Sequence, residues 1–251
     1  GIAQNTNIAL AAATGEFIGF MDHDDILAPD ALFEFVLKLE SDSKIDFIYT
    51  DEDKVTTDLN KYFQPHFKPD FNLDLLRSNN YICHFFAVRK TIIEQVGVLC
   101  EEYDGAQDYD FILRCTEASR KIAHIPRILY HWRIHNSSTA DNPSSKLYAY
   151  EAGLHALEAH LKRMNTIGKV TMRSDYGFYD IEYPLTDTPL VSIIIPNRDQ
   201  SDSLIKCIDS IINKSTYPSY EIIVVENNSC EEKTFNTYKK LEQKGVTIVT
   251  Y

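Results

Sequence analysis

The chain has 251 residues, 44% apolar and 25% charged, which suits one large α/β domain or two small ones with a core that needs no disulfide or metal staple. Its formal net charge of -12 argues against nucleic acid as a partner, since that binding needs a basic face, yet leaves a phosphorylated ligand open, because a divalent cation reverses the local sign of an acidic pocket. Five scattered cysteines (Cys83, Cys100, Cys115, Cys207, Cys230) without CxxC spacing read as reduced thiols, no apolar run reaches membrane-spanning length, and no leader is expected, so a cytoplasmic location follows.

In chain order, the Ala-rich stretch 5–13 predicts a helix closed by Thr14-Gly15. Residues 16–21 form a short apolar run that ends in acids, the pattern of a buried strand whose carboxyl end opens into a loop. Pro29 starts a helix through 39, with Leu32, Phe33, Val36 and Leu37 at helical spacing. Residues 46–50 predict a second strand, which also runs into acids, Asp51-Glu52-Asp53. Residues 58–80 are mixed, carry Pro65 and Pro69, and read as loop-rich. A strand is expected at 81–88, a helical turn at 91–96, a helix at 109–119 and a strand at 122–132 broken by Pro126.

The polar stretch 136–145 reads as a loop and 146–163 as an amphipathic helix, with Leu147, Tyr150, Leu154, Leu157 and Leu161 on one stripe. Segments 169–173 and 178–183 pair as a hairpin. After residue 186 the character changes. The β-branched run 190–195 leads to Pro196-Asn197-Arg198; a helix (203–213), a strand (221–225) ending in Glu226-Asn227-Asn228-Ser229, a helix (232–244) and a strand (246–250) follow. This βαβαβ order implies a parallel sheet with right-handed crossovers. Ligands of such sheets sit beyond the carboxyl ends of the strands, where Asn197, Arg198, Glu226 and Asn228 fall.

Three constellations can carry chemistry. The first is Asp22-His23-Asp24-Asp25 after the apolar strand: carboxylates this close repel one another, and a hard divalent cation, Mn2+ or Mg2+, compensates them and grips a diphosphate. The bland alternative is a solvated acidic turn before the Pro29 helix. An EF-hand loop is ruled out by Ile26 and Leu27, whereas a phosphatase with an aspartyl nucleophile stays open as a rival enzyme class. The second is Asp108 at the start of a helix, either a general base or an N-cap. The third is His131, Arg133 and His135, basic groups beside the polar loop that can clamp phosphate oxygens or merely end a surface strand.

Together these segments resemble the inverting family-two glycosyltransferases. The run from Thr14 to Asp25 is similar to that family's metal-binding segment, Pro189-Leu190-Val191-Ser192-Ile193-Ile194-Ile195-Pro196 to its opening strand, and Ile222-Ile223-Val224-Val225-Glu226-Asn227-Asn228-Ser229 to its second strand. Residues 105–114 resemble the segment holding its base. The resemblance implies an α/β, Rossmann-like GT-A sheet. It implies Asp24 and Asp22 at the metal, Asp22 also near the ribose, and Asp108 deprotonating the acceptor. It places Asn197, Arg198, Glu226 and Asn228 at the nucleotide, and His131, Arg133 and His135 near the diphosphate. Gln107 stands where an acid is frequent, and Glu226 where many members carry Asp.

The resemblance also makes the order of the halves unusual, because the βαβαβ half precedes the DxD half in the family. The expected organisation is 1–140 as the second half of one transferase domain, 141–186 as a helical and hairpin linker, and 187–251 as the nucleotide-binding half of another. The whole would be a slice of a tandem polysaccharide-assembly enzyme. Residues 187–251 are further expected to complete the first domain by docking beside 16–21 in one sheet, in cis or across a homodimer. The expected partners are a UDP or TDP sugar and a saccharide or lipid-linked acceptor, at the inner face of the membrane. The rival expectation is a non-catalytic piece that keeps the fold without a complete pocket.

Overall fold

The computed structural model describes residues 1–134 and 147–251. They divide into two compact units, 1–184 and 185–251.

The first unit is built on a six-stranded mixed sheet in the order β1-β5-β3-β6-β2, with β4 added to β3. The helix α1 (Ile2–Ala12) leads into β1 (Phe17–Phe20), the acidic turn, the short β2 (Ile26–Leu27) and α2 (Ala31–Ser41). The central strand is β3 (Phe47–Val55), followed by β4 (Tyr62–His66), α3 (Leu73–Ser78), β5 (Phe86–Arg89) and α4 (Lys90–Val96). Then come α5 (Gln107–Ala118), β6 (Ile122–Arg133), α6 (Leu147–Arg163) and the hairpin β7 (Lys169–Met172) and β8 (Tyr179–Glu182). Side chains alternate along β3: Phe47 and Tyr49 enter one core with α5 and α6, while Ile48 enters a second with Ala31 and Phe35 of α2. Both faces of the sheet are therefore covered, which is why its strands read as continuous apolar runs. In α5 every residue from Tyr109 to Thr116 is buried.

Four local expectations are corrected. First, β3 does not stop at the acids: Asp51, Glu52 and Asp53 lie inside it, paired in parallel with β6 and antiparallel with β4. Second, the loop-rich stretch holds β4 and the short α3, whose first turn is capped by Asn72 Oδ1 accepting from Leu75 N at 2.9 Å. Third, only Phe86–Arg89 of the strand expected at 81–88 joins the sheet, and residues 81–85 peel away into a loop. Fourth, Pro126 does not end β6. The ladder skips from Thr50↔Ile125 to Asp51↔Ile128, and this bulge absorbs the missing donor. The loop expected at 136–145 lies outside the described residues.

Residues 147–184, expected as part of a linker, pack into the first unit: Ala152, Ala156, Leu157, Leu161, Val170 and Tyr179 are members of its larger core. The second unit is the expected βαβαβ fold. Its strands β9 (Val191–Asn197), β10 (Tyr220–Glu226) and β11 (Thr247–Thr250) are parallel in the order β11-β10-β9, with α7 (Ser201–Lys214) and α8 (Glu232–Glu242) as crossovers. Leu204 and Ile208 of α7 meet Ile222 and Val224 of β10 and Tyr238 and Leu241 of α8 in its core. Within the first unit the ladder partner of β1 is β5, antiparallel, and within the second that of β9 is β10, parallel.

Candidate active site

The acidic turn follows β1 directly and is closed by Asp25 N donating to Asp22 O at 3.4 Å. Asp25 is only 7% exposed. Tyr130 of β6 fixes the turn with one hydroxyl, which accepts from Asp22 N at 3.2 Å and donates to Asp25 Oδ2. The other Asp25 oxygen accepts from Arg133 N at 2.8 Å. Burial pushes the Asp25 carboxyl above its ordinary range despite these two bonds, and the nearby Asp22 charge pushes the same way. Asp25 thus anchors the turn rather than solvating it, which sets aside the bland alternative for this residue.

Asp22 Oδ2 meets His84 Nε2 at 3.2 Å. Asp22, Asp25 and His84 each offer a ligand atom, and these lie within 4.8 Å of one another, a donor set of two carboxylates and one imidazole that fits a hard or borderline divalent cation. Asp24, the residue given the main metal role from sequence, is not part of that group; its carboxylate lies 3.8 Å from His23 Nδ1. Burial opposes protonation of His84, but the Asp22 hydrogen bond and the charges of Asp22, Asp108 and Glu52 outweigh it and raise its pKa.

Asp108 is not the N-cap of α5. Ala106 holds that position, and Gln107 Oε1 accepts from Gly105 N at 2.7 Å. Asp108 Oδ2 instead accepts from Asn80 Nδ2 at 2.9 Å. Burial, together with the nearby Asp108 charge, raises the Cys83 thiol well above its ordinary pKa. One loop, residues 80–84, therefore touches both Asp108 and Asp22. The sequence reading missed Asn80, Cys83 and His84 because no spacing marks them; a lone His in an apolar stretch carries no signal of its own.

The basic group divides. His131 Nδ1 pairs with Asp53 Oδ1 at 2.6 Å, and Arg133 contributes its backbone N–H to Asp25, while its buried Nε has no hydrogen-bond partner among the described residues. His135 lies outside the described residues. In the second unit, parallel register sets Glu226 beside Asn197 at the carboxyl ends of β10 and β9. Asn197 is buried and donates to Tyr238 Oη and Asp199 O, both at 2.8 Å, and Glu226 Oε1 accepts from Ser229 N. Asn228 adopts a left-handed backbone, φ 54°, and Arg198 is exposed. Asp199 accepts from the N–H groups of Cys230 and Glu231 at the start of α8; these bonds hold its carboxyl below the ordinary range.

Among known proteins, the model of the family "Glycosyl transferase family 2" matches residues 1–97 and 192–250. The chain is 41% identical to the uncharacterized protein y4gI of Sinorhizobium fredii over 96% of its own length and 27% of that protein's. It is 40% identical to the O-antigen biosynthesis protein RfbC of Myxococcus xanthus over 93% of its length and 18% of RfbC. The chain thus spans about a quarter of the first of these two relatives and less than a fifth of the second. Among solved structures, Staphylococcus aureus TarS in complex with UDP-GlcNAc aligns with a TM-score of 0.47 and 17% identity over 63% of this chain and 46% of that one, too shallow a likeness to bear on mechanism.

Proposed function

Because the chain belongs to glycosyl transferase family 2, we propose that it takes part in moving a sugar from a nucleoside-diphosphate donor to a saccharide or lipid-linked acceptor during surface-polysaccharide assembly. The observation that carries this reading is the approach of Asp22, Asp25 and His84 beside a loop that also reaches Asp108. The name of the Myxococcus relative supports the polysaccharide setting, and of the UDP and TDP sugars that the sequence resemblance implies, UDP is the first nucleotide to test.

In this reading Asp22 and His84 hold the divalent cation, Asp25 fixes the turn that presents Asp22, and Asp24 is a further carboxylate on the same turn. A bound Mn2+ or Mg2+ supplies positive charge for the leaving diphosphate. Asp108 takes the acceptor's proton as the acceptor oxygen attacks the anomeric carbon opposite the leaving group, so the configuration inverts. Asn80 donates to the carboxylate oxygen that is not needed for that transfer and so orients the other. Within the second unit Asn197, Arg198, Glu226 and Asn228 are read as nucleotide contacts, and within the first unit His131 and Arg133 as groups for a diphosphate. Among the described residues no helix is long and apolar enough to cross a membrane. Contact with the inner membrane face and a homodimer remain part of the proposal.

Calorimetry with UDP tests it. Binding is expected with Mn2+, is expected to be lost with a chelator, and is expected to fall at least a hundredfold in Asp22→Ala. Equal binding with and without metal would remove the metal role, and no UDP binding at any metal concentration would favour a piece with an incomplete pocket.

A further inference from the structure

The acids inside β3 have no part in the reaction described so far. Asp51 and Asp53 face one way, each toward a histidine of β6: His124 Nε2 at 2.7 Å and His131 Nδ1 at 2.6 Å. Glu52 faces the other way, with Lys68 at one oxygen and His66 Nδ1 3.3 Å from the other.

The Lys68 side chain is fully buried. An ammonium withdrawn from water persists only if acceptors replace its hydration, and it has three protons to satisfy. Lys68 Nζ donates to Glu52 Oε2 at 3.1 Å, to the Ile82 carbonyl at 2.9 Å and to the His84 carbonyl. Three donors thus meet three acceptors. Glu52 Oε2 also accepts from His84 N at 2.7 Å. The ion pair therefore grips His84 at both of its peptide groups, the N–H through the carboxylate and the carbonyl through the ammonium.

The imidazole is constrained in turn. Its Nδ1 lies 3.0 Å from Cys83 Sγ, and its ring stacks on Tyr130 at 5.4 Å and Trp132 at 6.2 Å. What remains for Nε2 is Asp22. The same loop sends Asn80 to Asp108.

We propose that Lys68 and Glu52 are positioning residues that lock the 80–84 loop, so that His84 faces Asp22 and Asn80 faces Asp108 before any ligand arrives. The proposal rests on the roles given above to Asp22 and Asp108. Neither member of the pair needs to touch substrate. Loss of a group that orients a metal ligand lowers metal affinity about 10- to 100-fold, and an effect of that size is expected here.

The test uses the full chain, with Glu52→Gln and with the double variant Lys68→Met/Glu52→Gln, which removes both charges together and strands neither. Long-range 1H–15N spectra of the histidine rings are recorded without metal, with the His160 ring, buried against Glu117 at 2.7 Å, as internal control. In both variants the His84 ring signals are expected to broaden or move toward free-histidine values while those of His160 stay in place. The dissociation constant of UDP with Mn2+ is expected to rise at least tenfold. A folded double variant with native His84 signals overturns the proposal, and so does a displaced ring with unchanged affinity. Should the double variant not fold, Glu52→Gln, which keeps the shape and an acceptor oxygen, decides on the same spectra. If the native chain binds no UDP with Mn2+, the proposed function fails, while the metal-free spectra still decide the positioning role.

Discussion

Two strand-end clusters, one in each unit, were both marked by sequence as polar groups after an apolar strand, yet they are built differently. In the first unit, Asp22, Asp25 and Asp108 are bonded by groups far along the chain: His84, Tyr130, Arg133 and Asn80. In the second unit, Glu226 is bonded by Ser229 N three residues on, and Asn197 by Asp199 O two residues on as well as by Tyr238 of α8. Long-range bonds aim side chains at one another, whereas local bonds shape the loop that carries them. The first cluster therefore has the orientation of its side chains already built in. The second is a stiffened strand-end rim whose loop conformation is what is organised.

That contrast can be broken by substitution. The largest effect is expected from Asp108→Asn, which removes the proposed base: turnover of a UDP-sugar donor should fall about 10²- to 10⁴-fold with the fold intact. Turnover within threefold of native would remove Asp108 from the chemistry. Next comes the frame behind it. Asp110, one turn into α5 and fully buried, accepts from Arg114 Nε at 2.9 Å and Nη2 at 2.7 Å, and Arg114 also donates to the carbonyls of Val96 and Val98. Asp110→Ala leaves the guanidinium without its counter-charge and should lower stability by about 3–5 kcal/mol in urea unfolding.

A smaller, pH-dependent effect is expected at Asp46. The Arg120 hydrogen bond lowers its carboxyl pKa against the burial that raises it, with Arg89 adding a second bond. An acid whose pKa is depressed by folding stabilises the native state above its unfolded pKa, about 3.9, and loses that contribution as the pH falls through the folded value. Asp46→Asn should therefore be less stable than the native chain at neutral pH and should converge on it in acid; parallel melting curves at pH 7 and below pH 3 check this. The smallest effect belongs to the second cluster. Glu226→Gln keeps an oxygen for Ser229 N and should shift the unfolding free energy by less than about 1 kcal/mol. It should nonetheless weaken nucleotide binding if Glu226 reads the base or ribose. A large loss of stability would mean that Glu226 holds the fold instead.

Much of the architecture was legible before any coordinates. The helices α2, α5 and α6 and the strands β9 and β10 lie within a few residues of where they were expected, although in α2 Leu32, Phe33, Val36 and Leu37 are exposed and the buried residues are Ala31 and Phe35. The misses share one cause. Asp51, Glu52 and Asp53 look like a strand terminus because three acids seldom enter a sheet unaided, and they do enter it here because His124, Lys68 and His131 come from elsewhere to meet them. In the opposite sense, the apolar stretch 81–85 looks like strand but leaves the sheet, because Lys68 collects the carbonyls of Ile82 and His84.

The sequence by itself determined the α/β class and the family, and it singled out Asp22 and Asp108 as candidate anchors, since these depend on local periodicity and on motifs a few residues long. Tertiary structure alone decided which groups meet those anchors. Asn80, His84, Tyr130, Lys68 and Glu52 lie from 16 to 108 residues away from their partners, and whether such groups converge is set by the sheet order β1-β5-β3-β6-β2 and not by any spacing along the chain.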